Sequence, residues 1–572
     1  MLAGLAVSTA PLVSAPAALA AAGVQAPASA ALAASALNTS SSPTSRAATA
    51  GAGAGAGIGQ RAGIVEGDWG SRSAAHAAAG AAAQPVAGYD PAADAGSLET
   101  IASAIGARKV WERRDAQGAP ITGEGVTVAV LDSGVAPVAG LDGAGELVQG
   151  PDLSLESNSR TPMGPDTFGH GTHLAGIIAA GGTREGAASA DAQLGVAPDA
   201  QLLALKLATT DGSTDVSQVI AALDWVVQHQ HDAGMNVRVV NLSFGTDSLQ
   251  PYQVDPLAAA AENAWRHGLV VVVSAGNDGP GAGRLSNPAI DPYVIAVGAS
   301  DAGGQVVGWS APQVASFSSR GSEQRHVDLL APGRSIVSLR QPGSFIDTNN
   351  PQGLVAGDDS AQLFRGSGTS QAAAVVSGAA ALLLQAHPQL TPDQVKAALT
   401  STATELPGVD VVDQGAGQLD VAAALTAVPA ITAADRAADR AADRAAAGTA
   451  ALSSRQSFVP GTGLGSIDAA RGSARLVDPD NGAVLSGEVD VQGHPWDAQA
   501  WASASATATA WDGGLWRGQR WSGDGWTSTG WQTARWSTAR WSTARWSTAR
   551  WSTARWSTAR WSTARWSTAR WS

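Results

Sequence analysis

The 572-residue chain contains no cysteine. That excludes disulfide staples, thiolate metal sites and a cysteine nucleophile. No Lys or Arg occurs before Arg46, and Pro11 and Pro16 break the one apolar stretch near the start, so no segment reads as a transmembrane span of about 18 apolar residues. Acidic residues are missing from positions 531–572, which carry eight Arg. The remaining 27 basic side chains face 48 acidic ones, a net charge of −21 against −13 for the whole chain: an acidic body joined to a basic tail. Aromatics are scarce in the body. Fifteen of the 20 Trp lie from Trp496 onward, so the Trp content reads as a property of the tail rather than of a core. Length and 44% apolar content leave room for a large buried core with appendages.

What is present divides the chain into six parts. Residues 1–22 are small and apolar, and Ala18-Leu19-Ala20 fits an A-x-A cleavage site, so they resemble a secretory signal without its basic start. An extracellular or cell-surface location is expected. Residues 23–97, rich in Ala, Gly and Ser, read as a leader or pro-region without enough large apolar residues for a core. From 98 to 428, apolar strand-like runs at 126–131, 202–207, 237–242, 269–274 and 294–297 alternate with helical segments. This alternation predicts an α/β fold with a parallel sheet covered on both faces. Three Ala-Ala-Asp-Arg copies within 429–450 read as a linker, because their period of four stacks like charges. Residues 451–495 read as a short connecting segment and 496–572 as a Trp-rich tail with seven intact Trp-Ser-Thr-Ala-Arg units. A period of five follows neither a helix face nor a strand face. Three readings of the tail compete: an adhesive segment for anionic wall polymer, glycan or lipid; a replication-slippage expansion with no partner; and a β-solenoid. Trp stacking on nucleic acid is physically feasible, but a secreted location argues against it.

Four short motifs carry chemistry, and each alone has a bland alternative. Asp132 ends the run 126–131 and is followed by Ser133-Gly134; it could simply cap a turn. His170 lies among small residues, and a zinc pairing with His173 is disfavoured because no third ligand accompanies the spacing of three. Ser370 starts a small-residue helix running to about Gln385, where free N–H groups favour negative charge; a plain N-cap is the alternative. Asn277 follows a buried strand, and its amide could donate to a developing oxyanion or merely form an Asx-turn.

Their order, Asp, His, Asn, Ser, removes the ambiguity. With Val128-Ala129-Val130-Leu131-Asp132-Ser133-Gly134, His170-Gly171-Thr172-His173-Leu174-Ala175-Gly176, Ser274-Ala275-Gly276-Asn277 and Gly368-Thr369-Ser370, the chain resembles the subtilases over residues 98–428. The resemblance implies a three-layer αβα fold and a serine endopeptidase acting on proteins or peptides by an acyl-enzyme route. It implies Ser370 as nucleophile, His170 as base, Asp132 as its orienting partner and Asn277 in the oxyanion hole. It further implies substrate edges at Ser243, Phe244 and Gly245 and at a strand containing Gly212 and Ser213, and a first specificity pocket backed by Ser274, Ala275 and Gly276. No cofactor is needed for this chemistry. Structural calcium is the expected ion, with ligands unassigned, since the loop 181–193 offers only Glu185 and Asp191. Activity is expected from neutral to alkaline pH, in a monomer. Gln371 and Ala374 stand where the family usually has Met and Pro, and residues 340–362 read as an added loop beside the site. The competing class is a surface-binding protein that works through its Trp/Arg tail and has a silent protease domain.

Overall fold

A computed structural model describes residues 88–520 apart from 144, 159–162, 182–193, 233, 304–308, 444–453 and 478–482. The signal-like segment, all but the end of the leader, and the pentapeptide repeats from 521 onward lie outside the described residues.

Among the described residues, eight strands form the central sheet: β1 Thr127–Asp132, β2 Leu147–Asp152, β3 Gln201–Lys206, β4 Val237–Leu242, β5 Val270–Ser274, β6 Ile295–Asp301, β7 Gln313–Val314 and β8 Leu329–Pro332. Their order is β2-β3-β1-β4-β5-β6-β7, with β8 also paired to β6, and every pairing except β6 with β7 is parallel. The central strands are runs of Val, Leu and Ala buried along their whole length, as strands covered on both faces must be. Two more strands, β9 Ile336–Leu339 and β10 Leu363–Gly366, form an antiparallel pair.

The helices are α1 Leu98–Ala104, α2 Ala107–Trp111, α3 His170–Ala179, α4 Val216–His229, α5 Pro256–Arg266, α6 Phe345–Asn349, α7 Thr369–Ala386, α8 Pro392–Ser401, α9 Val411–Gln414, α10 Val421–Asp443, α11 Ile467–Ala470 and α12 Ala498–Ala506. α3 packs on α7 and α4 on α5, which gives the sheet its two helical layers. Strand order reverses about β1, so the carboxyl end of β1 opens on the crevice where sites form in such sheets.

Three boundaries differ from the sequence expectation. Residues 88–97 already belong to the folded unit: Ser97 caps α1, and Asp94 pairs with Arg365. The expected linker is helical as far as Asp443, because buried Asp435 accepts Gln394 Nε2 at 2.8 Å and Ser454 N and Oγ at 2.7 and 2.6 Å. Tertiary anchoring outweighs the few tenths of a kcal/mol, about 0.2–0.5 per like-charge pair, set against the helix. The Trp-rich region is not all tail. Trp496, Trp501, Trp511 and Trp516 are buried, and the described residues between 454 and 520 pack as an extension on α4 and α5, ending in a small meander of β11 Trp511–Asp512, β12 Leu515–Trp516 and β13 Gln519–Arg520.

Candidate active site

β1 delivers Asp132, fully buried, to the carboxyl edge of the sheet, in register with Lys206 of β3. The carboxylate faces His170, the first residue of α3, with Nδ1 2.8 Å from Oδ1 and 2.9 Å from Oδ2. An Nδ1–H donated to Asp132 fixes the tautomer and leaves Nε2 as the proton-accepting atom of the ring. The contact demands two glycines. A Cβ on Gly134 would strike the Pro165 carbonyl, and one on Gly171 would strike the Gly134 carbonyl, so the strand end and helix start could not approach.

A second carboxylate, which the sequence reading missed, ties these pieces together. Asp166 is buried and accepts Ser133 Oγ at 2.8 Å, Gly169 N at 2.7 Å, Thr172 N at 2.9 Å and Thr172 Oγ1 at 2.6 Å. Ser133 in turn donates its N–H to Asp132 at 2.7 Å, and its Oγ receives Gly171 N at 3.0 Å. Asp166 thus caps α3 and joins it to the end of β1. Burial raises its pKa, against the lowering effect of the Thr172 hydroxyl and of Lys206. The available sequence signal was an acid three residues ahead of a glycine that opens a helix. Lys206 Nζ supports the same corner, donating to Ser133 O at 3.1 Å and pairing with Glu156 at 3.2 Å.

His173 is buried, and desolvation, with the neighbouring His170, pushes its pKa down to about 3. It therefore stays neutral across the working range and adds no charge beside His170. Among the described residues no cluster of three or more His, Asp or Glu is placed to hold an ion. Glu185 and Asp191 lie outside the described residues, so no calcium ligand set is assigned.

Ser370 is the second residue of α7 and is buried. Gly368 N, just before the helix, donates to Gly333 O at 2.8 Å, tying the helix start to the turn after β8. Asn277, after β5, accepts Thr369 N at 2.9 Å and Thr369 Oγ1 at 3.1 Å on its Oδ1. With the oxygen so committed, the amide presents its NH2 as a donor next to the residue that precedes Ser370. Ser243 Oγ, beyond β4, donates to Ser370 O at 3.4 Å. The structure thus couples Asp132 to His170 directly and Asn277 to the start of α7, and α3 packs on α7.

The expected substrate edges lie on segments bordering this edge. Phe244 is buried, and Gly245 packs against Ser286. Gly212 has φ +85° and lies against the Phe168 ring. Residues 211–214 form a tight loop rather than the expected strand, because Gly212 N donates to Thr209 O and Thr209 N to Ser213 O, each at 2.9 Å. Ser274, Ala275 and Gly276 continue from β5: Gly276 has φ +105°, and its N–H donates to Thr369 Oγ1 at 3.2 Å. The added loop between β9 and β10 contains α6, whose Phe345 N and Ile346 N donate to Thr167 O and Phe168 O, both at 3.0 Å. Phe345 stacks on Phe168 with ring centroids 5.8 Å apart. This insertion braces the turn that leads into His170.

A mainly parallel sheet whose carboxyl edge gathers a buried carboxylate–imidazole pair, a helix-start serine and an anchored amide defines a serine hydrolase. The sequence matches the Subtilase family over residues 123–418, and the chain belongs to that family; it is a serine-type endopeptidase. Serine protease AprX of Bacillus subtilis (strain 168) is 37% identical over 329 residues, covering 56% of this chain and 70% of its own. Subtilisin of Bacillus pumilus is 35% identical over 292 residues, 50% of this chain and 86% of its own. Among solved structures, a cold adapted subtilisin-like serine proteinase is similar at 27% identity, covering 57% of this chain and 97% of its own, with a TM-score of 0.40.

Proposed function

We propose that the protein is a secreted endopeptidase in which Ser370 attacks the scissile carbonyl, His170 takes the proton at Nε2 and returns it to the leaving amine, and Asp132 holds the imidazole and stabilises its cationic form. The Ser370 ester of the substrate acyl group is then hydrolysed by water through the same base. Asn277 and the Ser370 N–H bind the oxyanion. Extended peptide adds along Ser243–Gly245 and the loop at Gly212 and Ser213, with the first side chain seated against Ser274, Ala275 and Gly276. One observation carries the reading: the buried Nδ1 contact of 2.8 Å between His170 and Asp132, at the edge where Asn277 grips the residue before Ser370.

Peptide hydrolysis tests it. Ser370→Ala should reduce cleavage to background without changing the melting temperature, and a variant that retains turnover would contradict the assignment.

Secretion is supported by the signal-like residues 1–22, and N-terminal sequencing of the mature protein tests it. The repeats beyond residue 520 supply the surface-binding reading, with Arg drawn to anionic wall polymer and Trp partitioning or stacking on it. Deleting residues 521–572 should leave cleavage intact and weaken retention on cell-wall material; equal retention would count against an adhesive role.

A further inference from the structure

Four consecutive residues of the C-terminal extension touch both segments that border the cleft. On one side Arg471, fully buried, places Nε 2.7 Å from Asp215 Oδ2 and Nη2 3.3 Å from Oδ1. Its remaining donors reach Gly487 O at 3.1 Å and Val489 O at 2.5 Å. Asp215 follows directly on residues 212–214 and caps α4, accepting Ser217 N at 3.0 Å and Ser217 Oγ at 2.6 Å. The extension reaches this cap a second time, through Val491 N to Ser217 Oγ at 2.9 Å.

On the other side, Thr246 Oγ1 donates to Ala470 O at 2.7 Å, one residue after Gly245. Asp247 accepts Ser473 N at 2.6 Å and Ser473 Oγ at 2.7 Å. Gly472 has φ +57° and is pressed against Asp247, leaving no room for a side chain.

A guanidinium and a carboxylate removed wholly from water gain little net stability over an apolar pair, and their strict geometry fixes position instead. The position fixed here is that of a loop, residues 211–214, which has no sheet ladder of its own. We infer that residues 470–473 act as a clamp that sets the spacing of the two substrate-binding segments, with Arg471 a positioning residue for extended peptide. The inference rests on the proposed reading of those segments. The extension thus supports the two segments from outside them, although no motif of the catalytic domain contains it.

The test uses the full chain and two variants. Arg471→Met with Asp215→Asn removes both charges and keeps a capping side chain; Thr246→Val removes the bond to Ala470 O on the other side alone. Each is assayed with a peptide series of increasing length, with a single-residue ester, and for its rate of acylation by a small fluorophosphonate. The clamp predicts that KM for the longest peptides rises roughly tenfold, while kcat, ester turnover and the acylation rate stay within about twofold of wild type. Length dependence equal to wild type in either folded variant overturns the clamp. An equal loss across peptides, ester and probe overturns it too, because that marks general damage. If the double variant does not fold, Thr246→Val decides. Failure of the wild type to react with the probe at all would instead overturn the protease reading itself.

Discussion

Two buried carboxylates, Asp132 at the end of β1 and Asp224 within α4, are satisfied in different ways. Asp132 meets the imidazole of His170 and the N–H of Ser133, groups set by motif residues close to it in sequence or in a fixed family order. Asp224 meets residues of the distant extension: Trp501 Nε1 at 3.0 Å, Trp516 Nε1 at 2.9 Å and Ser505 Oγ at 2.6 Å. Arg517 lies over the rings of Trp496 and Trp516, at 4.5 and 5.3 Å from their centroids. Reaction chemistry constrains residue type atom by atom, so the first arrangement leaves a signature. Packing asks only for volume and a few donors, so the second leaves none.

Truncation should separate the two regions most forcefully. Ending the chain at residue 520 keeps the four buried Trp, whereas ending it at 495 removes all of them, together with every partner of Asp224 named above. Each buried Trp is worth about 3–5 kcal/mol against Ala, so the shorter chain should fail to fold while the longer one melts like the full protein. Equal melting temperatures would show that residues 496–520 are dispensable. Next in size is Asn277→Ala, which should lower kcat on the order of 100- to 1,000-fold with little change in KM, a magnitude known from subtilisin itself rather than derived from this geometry. A loss confined to KM would place the amide in binding instead.

The smallest effect is a slope. Burial lifts the Asp224 pKa from 3.8 to about 6, against the lowering effect of its Ser505, Trp516 and Trp501 bonds. A carboxyl raised on folding lends stability that is fully present below its unfolded pKa and is lost as pH rises through the folded one. Asp224→Asn, neutral at every pH, should therefore gain on wild type between pH 4 and 7 by about 3 kcal/mol at most, measured by urea unfolding at both ends. A difference that does not vary with pH would mean that the carboxylate is solvated.

The same contrast explains what could be read from sequence. Asp132, His170, Asn277 and Ser370 stood out as candidates because each sits in a short motif of small residues at a strand end or helix start, and the parallel sheet was legible from its uninterrupted apolar runs. Asp166 was not, since an aspartate among Gly164, Pro165 and Thr167 looks like a turn until the fold brings Ser133 and Thr172 to it. The burial of Trp496, Trp501, Trp511 and Trp516 was hidden because they precede repeats of similar composition, and no local motif announces a contact such as that of Trp511 Nε1 with Ala221 O of α4. Arg471 is equally silent, as its partner Asp215 lies far away along the chain.

Treating the full chain with a fluorophosphonate and mapping the modified peptide tests whether Ser370 is the nucleophile that works with the Asp132–His170 pair. A single adduct on Ser370 is expected, lost in Ser370→Ala and strongly slowed in His170→Ala. An adduct on another serine, or none on folded and processed protein, would contradict it.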